Sequence, residues 1–149
     1  MRFAKGSSFM KRERFPMDDP REWINRAQSN LARARVIDPE VLLEDLCFDT
    51  QQCAEKAIKG LFVLRGERFP LIHDLDELLR RLAQLGVKIP KYVHDADDLS
   101  RFAVVTRYPG MADPVTQREY RRAVHIAEAV LRWAERQVEA ATKKREGKK

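Results

Sequence analysis

Apolar residues recur along the chain every three to four positions, which is the period of amphipathic helices. This pattern predicts five helices, over residues 20–36, 39–65 and 74–85, from about 90, and over 114–142. The apolar stripe of the second helix is the longest and comprises Leu42, Leu43, Leu46, Cys47, Cys53, Ala54, Ala57, Ile58, Leu61 and Leu64. No segment alternates between apolar and polar residues for long. Long helices with short loops predict an all-α fold, an antiparallel up-and-down bundle of four to five helices.

Asp-Pro pairs and glycines mark the expected helix boundaries. An aspartate accepts hydrogen bonds from the first N–H groups of a helix, and proline fits the first turn without losing a hydrogen bond. The pairs that we predict to begin helices are Asp19-Pro20, Asp38-Pro39 and Asp113-Pro114. Glu22 follows Asp19 by three residues, the spacing of a capping box. Gly66 and Gly86 are placed to end the second and third helices.

The net charge of +6 is concentrated at the two ends of the chain. Residues 1–21 carry six basic and three acidic side chains and residues 143–149 carry five and one, which leaves the intervening segment at −1. The basic isoelectric point therefore does not mark the folded body as a nucleic-acid surface. We expect a flexible basic arm at 1–18, the bundle at 19–142 and a disordered basic tail at 143–149. The tail is either only solvated or adds salt-sensitive phosphate contacts.

Missing signals restrict the function classes. No apolar run approaches the ~20 residues of a membrane-spanning helix and the N-terminal segment lacks a secretory h-region, so we expect a cytoplasmic protein without membrane contact. Cys47 and Cys53 lie six residues apart on different helix faces, as expected for buried thiols in a reducing compartment. The three histidines lie on separate segments, and no glycine-rich phosphate loop is present. We expect no metal and no cofactor.

The polar face of the second helix is the first candidate binding surface. Its side chains at three- and four-residue spacings are Asp49, Gln52, Glu55, Lys56 and Lys59. Glu55 and Lys59 form an i,i+4 pair of the kind that stabilises helices. The face is either solvated, or it is a patch whose Lys56 and Lys59 contact a phosphate or a partner.

The loop after this helix is the second candidate. Arg65 and Arg68 precede His73 and Asp74 at the start of the third helix, and helix N-termini and arginine forks both suit phosphate. Alternatively, His73 or Asp74 only caps that helix.

A third candidate precedes the last helix, where Arg107 and Tyr108 stand beside the tight turn Pro109-Gly110. An arginine next to an aromatic ring can hold a phosphate and stack a base. Alternatively, Arg107 bridges a carboxylate and Tyr108 packs the loop against the bundle.

Several motifs stand in order along the chain. They are Ala54-Glu-Lys-Ala-Ile-Lys59, Phe69-Pro70, His73-Asp74-Leu75 and Arg107-Tyr108-Pro109, after a first helix that opens with Trp23. Together they resemble the signature of HEPN domains, the helical domains of higher eukaryotes and prokaryotes that are thought to bind nucleotides. The resemblance extends over roughly residues 20–138.

This resemblance implies an antiparallel bundle, as in nucleotidyltransferase substrate-binding subunits, that commonly forms homodimers. It also implies frequent partnership with a small nucleotidyltransferase, sometimes as a toxin–antitoxin pair. The stripes on the second and last helices are long for one short bundle, which also favours a dimer.

Several branches of the HEPN superfamily are metal-independent ribonucleases. Their motif is an arginine followed, four to six residues later, by a histidine that can move the proton of the RNA 2′-hydroxyl. Here Arg107 is followed by Ala-Asp-Pro at 112–114 in place of that histidine. The spacing recurs at Arg68/His73 and at Arg118/His125, and the second pair is the better candidate because it shares one face of the final helix.

The sequence therefore predicts a non-catalytic HEPN module, a homodimer with a nucleotidyltransferase partner. Nucleotide or RNA phosphate is expected at a set of seven residues: Lys56, Lys59, Arg65, His73, Asp74, Arg107 and Tyr108. The first alternative is a ribonuclease that uses Arg118 and His125. The second alternative is a structural dimerisation module without a ligand.

Overall fold

The computed structural model describes residues 11–104 and 108–147, and this part of the chain is helical without any strand. The elements are α1 (Pro20–Ala34), α2 (Leu43–Leu64), α3 (Leu75–Gln84), one 3-10 helix (Lys91–Ala103) and α4 (Gln117–Gly147). α1, α2 and α4 pack on one another, and α3 and the 3-10 helix pack against the remaining side of α2. The predicted all-α bundle of four to five helices is confirmed. No helix in the described ranges is long and apolar enough to cross a membrane.

α2 is the central helix and is buried around most of its circumference. Its apolar side chains form one core with the inner faces of the other four helices. Five polar side chains of α2 are buried with them, namely Asp49, Thr50, Gln51, Glu55 and Lys59. Because buried polar groups cost free energy unless they are bonded, each of these needs a partner inside the bundle.

The two thiols of α2 belong to this core. Cys47 and Cys53 are both fully buried and unpaired, as the sequence predicted. Burial raises the pKa of each thiol to about 12, so both are held protonated at neutral pH. They act as small apolar side chains.

One of the three predicted helix starts is confirmed. Asp19 accepts from the Arg21 N–H at 2.9 Å, and Pro20 is the first residue of α1. The predicted capping box is wrong, because the Glu22 carboxylate bonds Arg14, Arg26 and the Phe15 N–H. The segment before α1 folds back and offers Glu22 charged donors, which bind a carboxylate more strongly than a single backbone N–H does.

The other two Asp-Pro pairs do not begin helices. Asp38 closes a turn: its side chain accepts from the Glu40 N–H at 2.8 Å and its carbonyl accepts from the Val41 N–H at 2.9 Å. α2 therefore begins only at Leu43, not at residue 39. At Asp113-Pro114 the predicted helix start at residue 114 is also wrong, because Thr116 caps α4.

A capping box lies at the start of α4. The Glu119 N–H donates to the Thr116 hydroxyl at 3.1 Å, and the Thr116 N–H donates to the Glu119 carboxylate at 2.9 Å. α4 then continues through Gly147, five residues beyond the predicted end, so residues 143–147 of the predicted tail are helical. The reciprocal pair satisfies two N–H groups at once, whereas Asp113 could satisfy only one.

Both predicted glycine stops are confirmed. Gly66 and Gly86 have φ angles of 73° and 95°, backbone conformations that residues with a Cβ atom rarely adopt. After α2 the Glu67 N–H donates to the Phe62 carbonyl and the Gly66 N–H to the Val63 carbonyl, both at 2.9 Å. This paired pattern is a Schellman motif, and it satisfies carbonyls that the end of a helix leaves unpaired.

The fourth predicted helix is present, but it is a 3-10 helix of 13 residues. Its buried side chains include Val93, Ala96, Leu99 and Phe102. These positions are spaced by three residues, and a 3-10 helix has three residues per turn, so all four lie on one face. An α-helix would rotate this row progressively away from the core.

Candidate functional site

Three buried side chains of α2 and the exposed His73 form a hydrogen-bonded cluster. The Glu55 carboxylate accepts from Lys59 Nζ at 2.9 Å, from Gln51 Nε2 at 2.8 Å, and lies 2.9 Å from His73 Nδ1. We call Gln51, Glu55, Lys59 and His73 the signature cluster. Burial by itself would raise the pKa of Glu55, but the bonds from Lys59, Gln51 and His73 together hold it below its usual value. Glu55 is therefore an ionised carboxylate whose partners come from its own chain.

The same part of α2 joins α1 to the loop after α2. The Trp23 ring meets the Phe69 ring edge-on, with centroids 4.6 Å apart, and Lys59 Nζ lies 5.5 Å from the Phe69 centroid. Gly60 allows this approach, because a Cβ there would lie 2.9 Å from the Trp23 Cβ. The Phe-Pro turn of the signature therefore packs against the first helix.

The remaining predicted ligand residues do not converge at one place in the described structure. Arg65 donates to the Leu85 carbonyl at 2.7 Å, and Asp74 caps α3 by accepting from the Glu77 N–H at 3.1 Å. Lys56 is turned towards α1, where its Nζ donates to the Asn30 side chain at 2.8 Å. Tyr108 is 57% exposed in the loop before α4. Arg107 lies outside the described residues.

Arg118 and His125, the predicted ribonuclease pair, are both exposed on α4. Seven residues correspond to nearly two helical turns, so both side chains lie on one face, about 10.5 Å apart along the axis. His73, the histidine of the other Arg–His pair with this spacing, bonds the Glu55 carboxylate.

A cavity of about 510 Å³ lies where the chain before α1 folds back over α1 and α2. We call it the arm cleft, and it is lined by Lys11, Arg12, Arg14, Asn25, Arg26, Ser29, Asn30, Arg33 and Lys56. Six of these nine residues are cationic, the other three are neutral and polar, and none is a carboxylate. Lys56 is the one predicted ligand residue in the cleft.

Hydrogen bonds hold the arm in place over α1. Arg12 donates to the side chains of Asn25 and Gln28, and the Asn25 amide donates to the Glu13 carbonyl at 2.7 Å. Arg14 forms an ion pair with Glu22 beneath the arm. Residues 11–14 of the predicted flexible arm are therefore one wall of the cleft.

The cleft has more positive charge than its carboxylate partners neutralise. Glu22 pairs with Arg14 and Arg26, and Asp49 pairs with Arg33. No carboxylate lies within ion-pair distance of Lys11, Arg12 or Lys56 among the described residues. Burial lowers the pKa of Lys56, and the nearby Arg26 and Arg33 lower it further, while Glu55 and Asp49 act in the opposite direction. An anion at this position would be stabilised by Arg26, Arg33 and Lys56.

The family is decided by comparison with known proteins. The profile of the HEPN domain matches residues 20–137, about four-fifths of the chain. The chain belongs to the HEPN family. A comparison with curated proteins finds no match.

Two solved structures share the HEPN bundle. The first is TT1696 from Thermus thermophilus, at 31% sequence identity and a TM-score of 0.71, covering 80% of this chain and 98% of that one. The second is ST0689, described as an archaeal HEPN homologue, at 28% identity and a TM-score of 0.65, covering 85% and 99%.

The arm cleft combines the HEPN bundle with residues outside the matched range. Arg26, Arg33 and Lys56 lie within the match, whereas Lys11, Arg12 and Arg14 precede its first residue. Part of the cleft was visible in the sequence, because the polar residues at 26, 29, 30 and 33 share one face of α1. No sequence signal indicated that the arm folds back over that face.

Proposed function

We propose that this protein is a non-catalytic HEPN module that binds the phosphate groups of a nucleotide or of RNA in the arm cleft. The observation that carries the proposal is the cleft's lining of six cations without a carboxylate. Arginine forks and lysine ammonium groups are the side chains that bind phosphate most strongly. The exposed Ser29 hydroxyl adds a neutral donor for a further phosphate oxygen.

Replacing Lys56 or Arg12 by glutamine is expected to weaken phosphate binding about tenfold, since each loses a charge-assisted hydrogen bond. Both residues bond only neutral side chains, so neither substitution leaves an unpaired carboxylate behind. Calorimetry at low salt would measure binding of tripolyphosphate, ATP and a short single-stranded RNA. For RNA, the negative slope of log affinity against log salt concentration should become shallower by about 0.7 for each lost phosphate contact.

Lys144→Gln is the matched control, because it removes the same charge from an exposed position of α4 away from the cleft. Its affinity should equal that of the wild type. A wild-type protein that folds but releases no heat with any of the three ligands contradicts the proposal.

The proposal includes homodimerisation and a small nucleotidyltransferase partner, as in a toxin–antitoxin pair. The partner rests on family membership. The long stripes of α2 and α4 do not support the dimer, because they are covered within the chain. Support comes from uncovered apolar side chains in two loops at one end of the bundle: Val36, Ile37, Val41, Leu42, Tyr108 and Met111. The two loops are neighbours, since Tyr120 bonds the Ala34 carbonyl at 2.6 Å and Glu44 bonds the Val115 N–H at 3.1 Å.

Such an exposed apolar surface typically marks a protein contact. We expect Leu42→Lys to shift the protein from dimer to monomer, because it places a charge on this surface. Light scattering at high micromolar concentration measures the mass directly. A wild-type monomer under these conditions argues against the dimer.

Ribonuclease activity is the second candidate, favoured by the exposure of Arg118 and His125 on one face of α4. If this pair cleaves RNA, the purified protein degrades single-stranded RNA in EDTA and His125→Ala abolishes the cleavage. His94→Ala is the control, since His94 is an exposed histidine on the 3-10 helix. Cleavage that persists in His125→Ala removes the assignment.

A further inference from the structure

A second cavity, of about 740 Å³, lies between the end of α2, the loop after α3 and the outer turns of α4. We call it the α4 groove. The described residues that line it include four cations, Arg65, Lys88, Lys91 and Arg136, and no carboxylate. No described residue forms an ion pair with any of the four. Arg65 donates to the Leu85 carbonyl, and Arg136 donates to the Tyr92 hydroxyl at 2.9 Å, so both guanidinium groups keep their charge uncompensated.

The wall of the α4 groove is apolar and partly aromatic. Tyr92 is 44% exposed in the first turn of the 3-10 helix, and Arg136 fixes its hydroxyl. Trp133, which is almost fully buried, and Pro90 also line the groove. A flat ring can therefore lie against a fixed aromatic face while an attached anion reaches the cations at the rim.

The arm cleft differs from the α4 groove in this respect. Its described lining contains no aromatic side chain, so a base could stack there only on an arginine. The two cavities share a cationic lining, and only the α4 groove combines it with an aromatic ring.

We propose that the α4 groove binds the base and the adjoining phosphate of a nucleotide, either free or as one unit of single-stranded RNA. Tyr92 stacks on the base, and Lys88, Lys91 and Arg136 contact the phosphate. The Gln137 amide at the edge of the groove supplies both a donor and an acceptor for the base. The inference rests on the proposed function, to which it adds a base-binding site separate from the arm cleft.

The test is calorimetry of the full chain with AMP, tripolyphosphate and a short single-stranded RNA. Tyr92→Leu keeps an apolar side chain but removes the ring, and it is expected to weaken AMP binding about tenfold while tripolyphosphate binding is unchanged. Tyr92→Phe keeps the ring and should retain the AMP affinity. Lys91→Gln, which removes no packing contact of the core, should weaken AMP binding by a similar factor. Lys56→Gln should instead weaken tripolyphosphate and RNA binding more than AMP binding.

The measurement with RNA distinguishes the two sources of the nucleotide. Weaker RNA binding by Tyr92→Leu identifies an RNA unit, and unchanged RNA binding with weaker AMP binding identifies a free nucleotide. AMP binding that is unchanged in both Tyr92→Leu and Lys91→Gln overturns the inference. So does a wild-type protein that binds tripolyphosphate but neither AMP nor RNA, and in that case the proposed function still stands. A wild-type protein that binds none of the three probes overturns both.

Discussion

Replacing Lys59 by methionine is expected to destabilise the fold by about 3–5 kcal/mol, the cost of leaving one member of a buried ion pair alone. The Lys59 and Glu55 side chains are each 7% exposed, and their charged atoms are 2.9 Å apart. Methionine fills most of the space that the lysine stem occupies, so a cavity contributes little to this loss. The cost arises because the Glu55 carboxylate would keep only Gln51 and His73 as partners in a buried setting.

Urea denaturation at neutral pH would measure the effect in Lys59→Met, Glu55→Leu and the double variant. Each single variant should lose several kcal/mol of unfolding free energy, whereas the double variant should lie close to the wild type because no charge remains unpaired. Lys56→Met is the control three residues away, since Lys56 bonds only the neutral Asn30 side chain. A loss below about 1 kcal/mol in Lys59→Met would show that Glu55 finds another cation.

The same pair should make stability depend on pH. The pKa of Glu55 is lower in the folded protein than in the unfolded chain, so its contribution is complete above the unfolded value, near ~4.3. That contribution is lost as the pH falls through the lower, folded value. Glu55→Leu should therefore show a smaller loss of stability in acid than the wild type does.

Phe102→Ala is the second substitution with a large expected effect, a loss of about 3–5 kcal/mol. Phe102 is 2% exposed and ends the row of buried residues on the 3-10 helix. Truncation of its ring removes core contacts and leaves a cavity between the 3-10 helix, α2 and α4. Denaturation by urea gives the free energy, and near-ultraviolet circular dichroism reports whether packing around the aromatic residues survives.

Tyr108→Ala is the matched control for Phe102→Ala. Tyr108 is also aromatic and lies only six residues further along, but it is 57% exposed. At a protein concentration low enough to keep the protein monomeric, its substitution should change the unfolding free energy by less than about 0.5 kcal/mol. Equal losses in the two variants would mean that the 3-10 helix does not turn Phe102 into the core.

The periodicity of the sequence was sufficient to predict the bundle, and it also contained the signal for the 3-10 helix. The row Val93, Ala96, Leu99 and Phe102 repeats strictly every three residues, whereas the stripes of the α-helices mix spacings of three and four. Over two turns, residues spaced by three lie on one side of either an α-helix or a 3-10 helix. The two helix types can therefore be told apart only from the whole row of four residues.

The helix starts were less predictable, because an Asp-Pro pair suits both a helix cap and a tight turn. Asp19 became a cap, whereas Asp38 bonded two N–H groups of its own turn. The choice between the two depends on how the chain enters the bundle. At α4, Thr116 and Glu119 had the capping-box spacing and could have been recognised from the sequence.

The candidate site could be predicted only in part. The sequence singled out Lys56, but it grouped this residue with Lys59, and the two lysines face different neighbours in the structure. The arm cleft needs Lys11, Arg12 and Arg14 to lie over α1, a contact made across more than ten residues of sequence separation. The net charge of −1 between residues 21 and 143 also concealed it, since carboxylates in this segment cancel Arg26, Arg33 and Lys56 in the sum.

The signature cluster has a consequence for how HEPN sequences are compared. Lys59 and His73 both bond Glu55, Gly60 admits Trp23, and Asp74 caps α3. Each of these residues is needed to join three helices, whether or not any ligand is present. A homologue can therefore keep this motif intact under selection for folding alone, while its ligand preference changes through residues such as those of the arm.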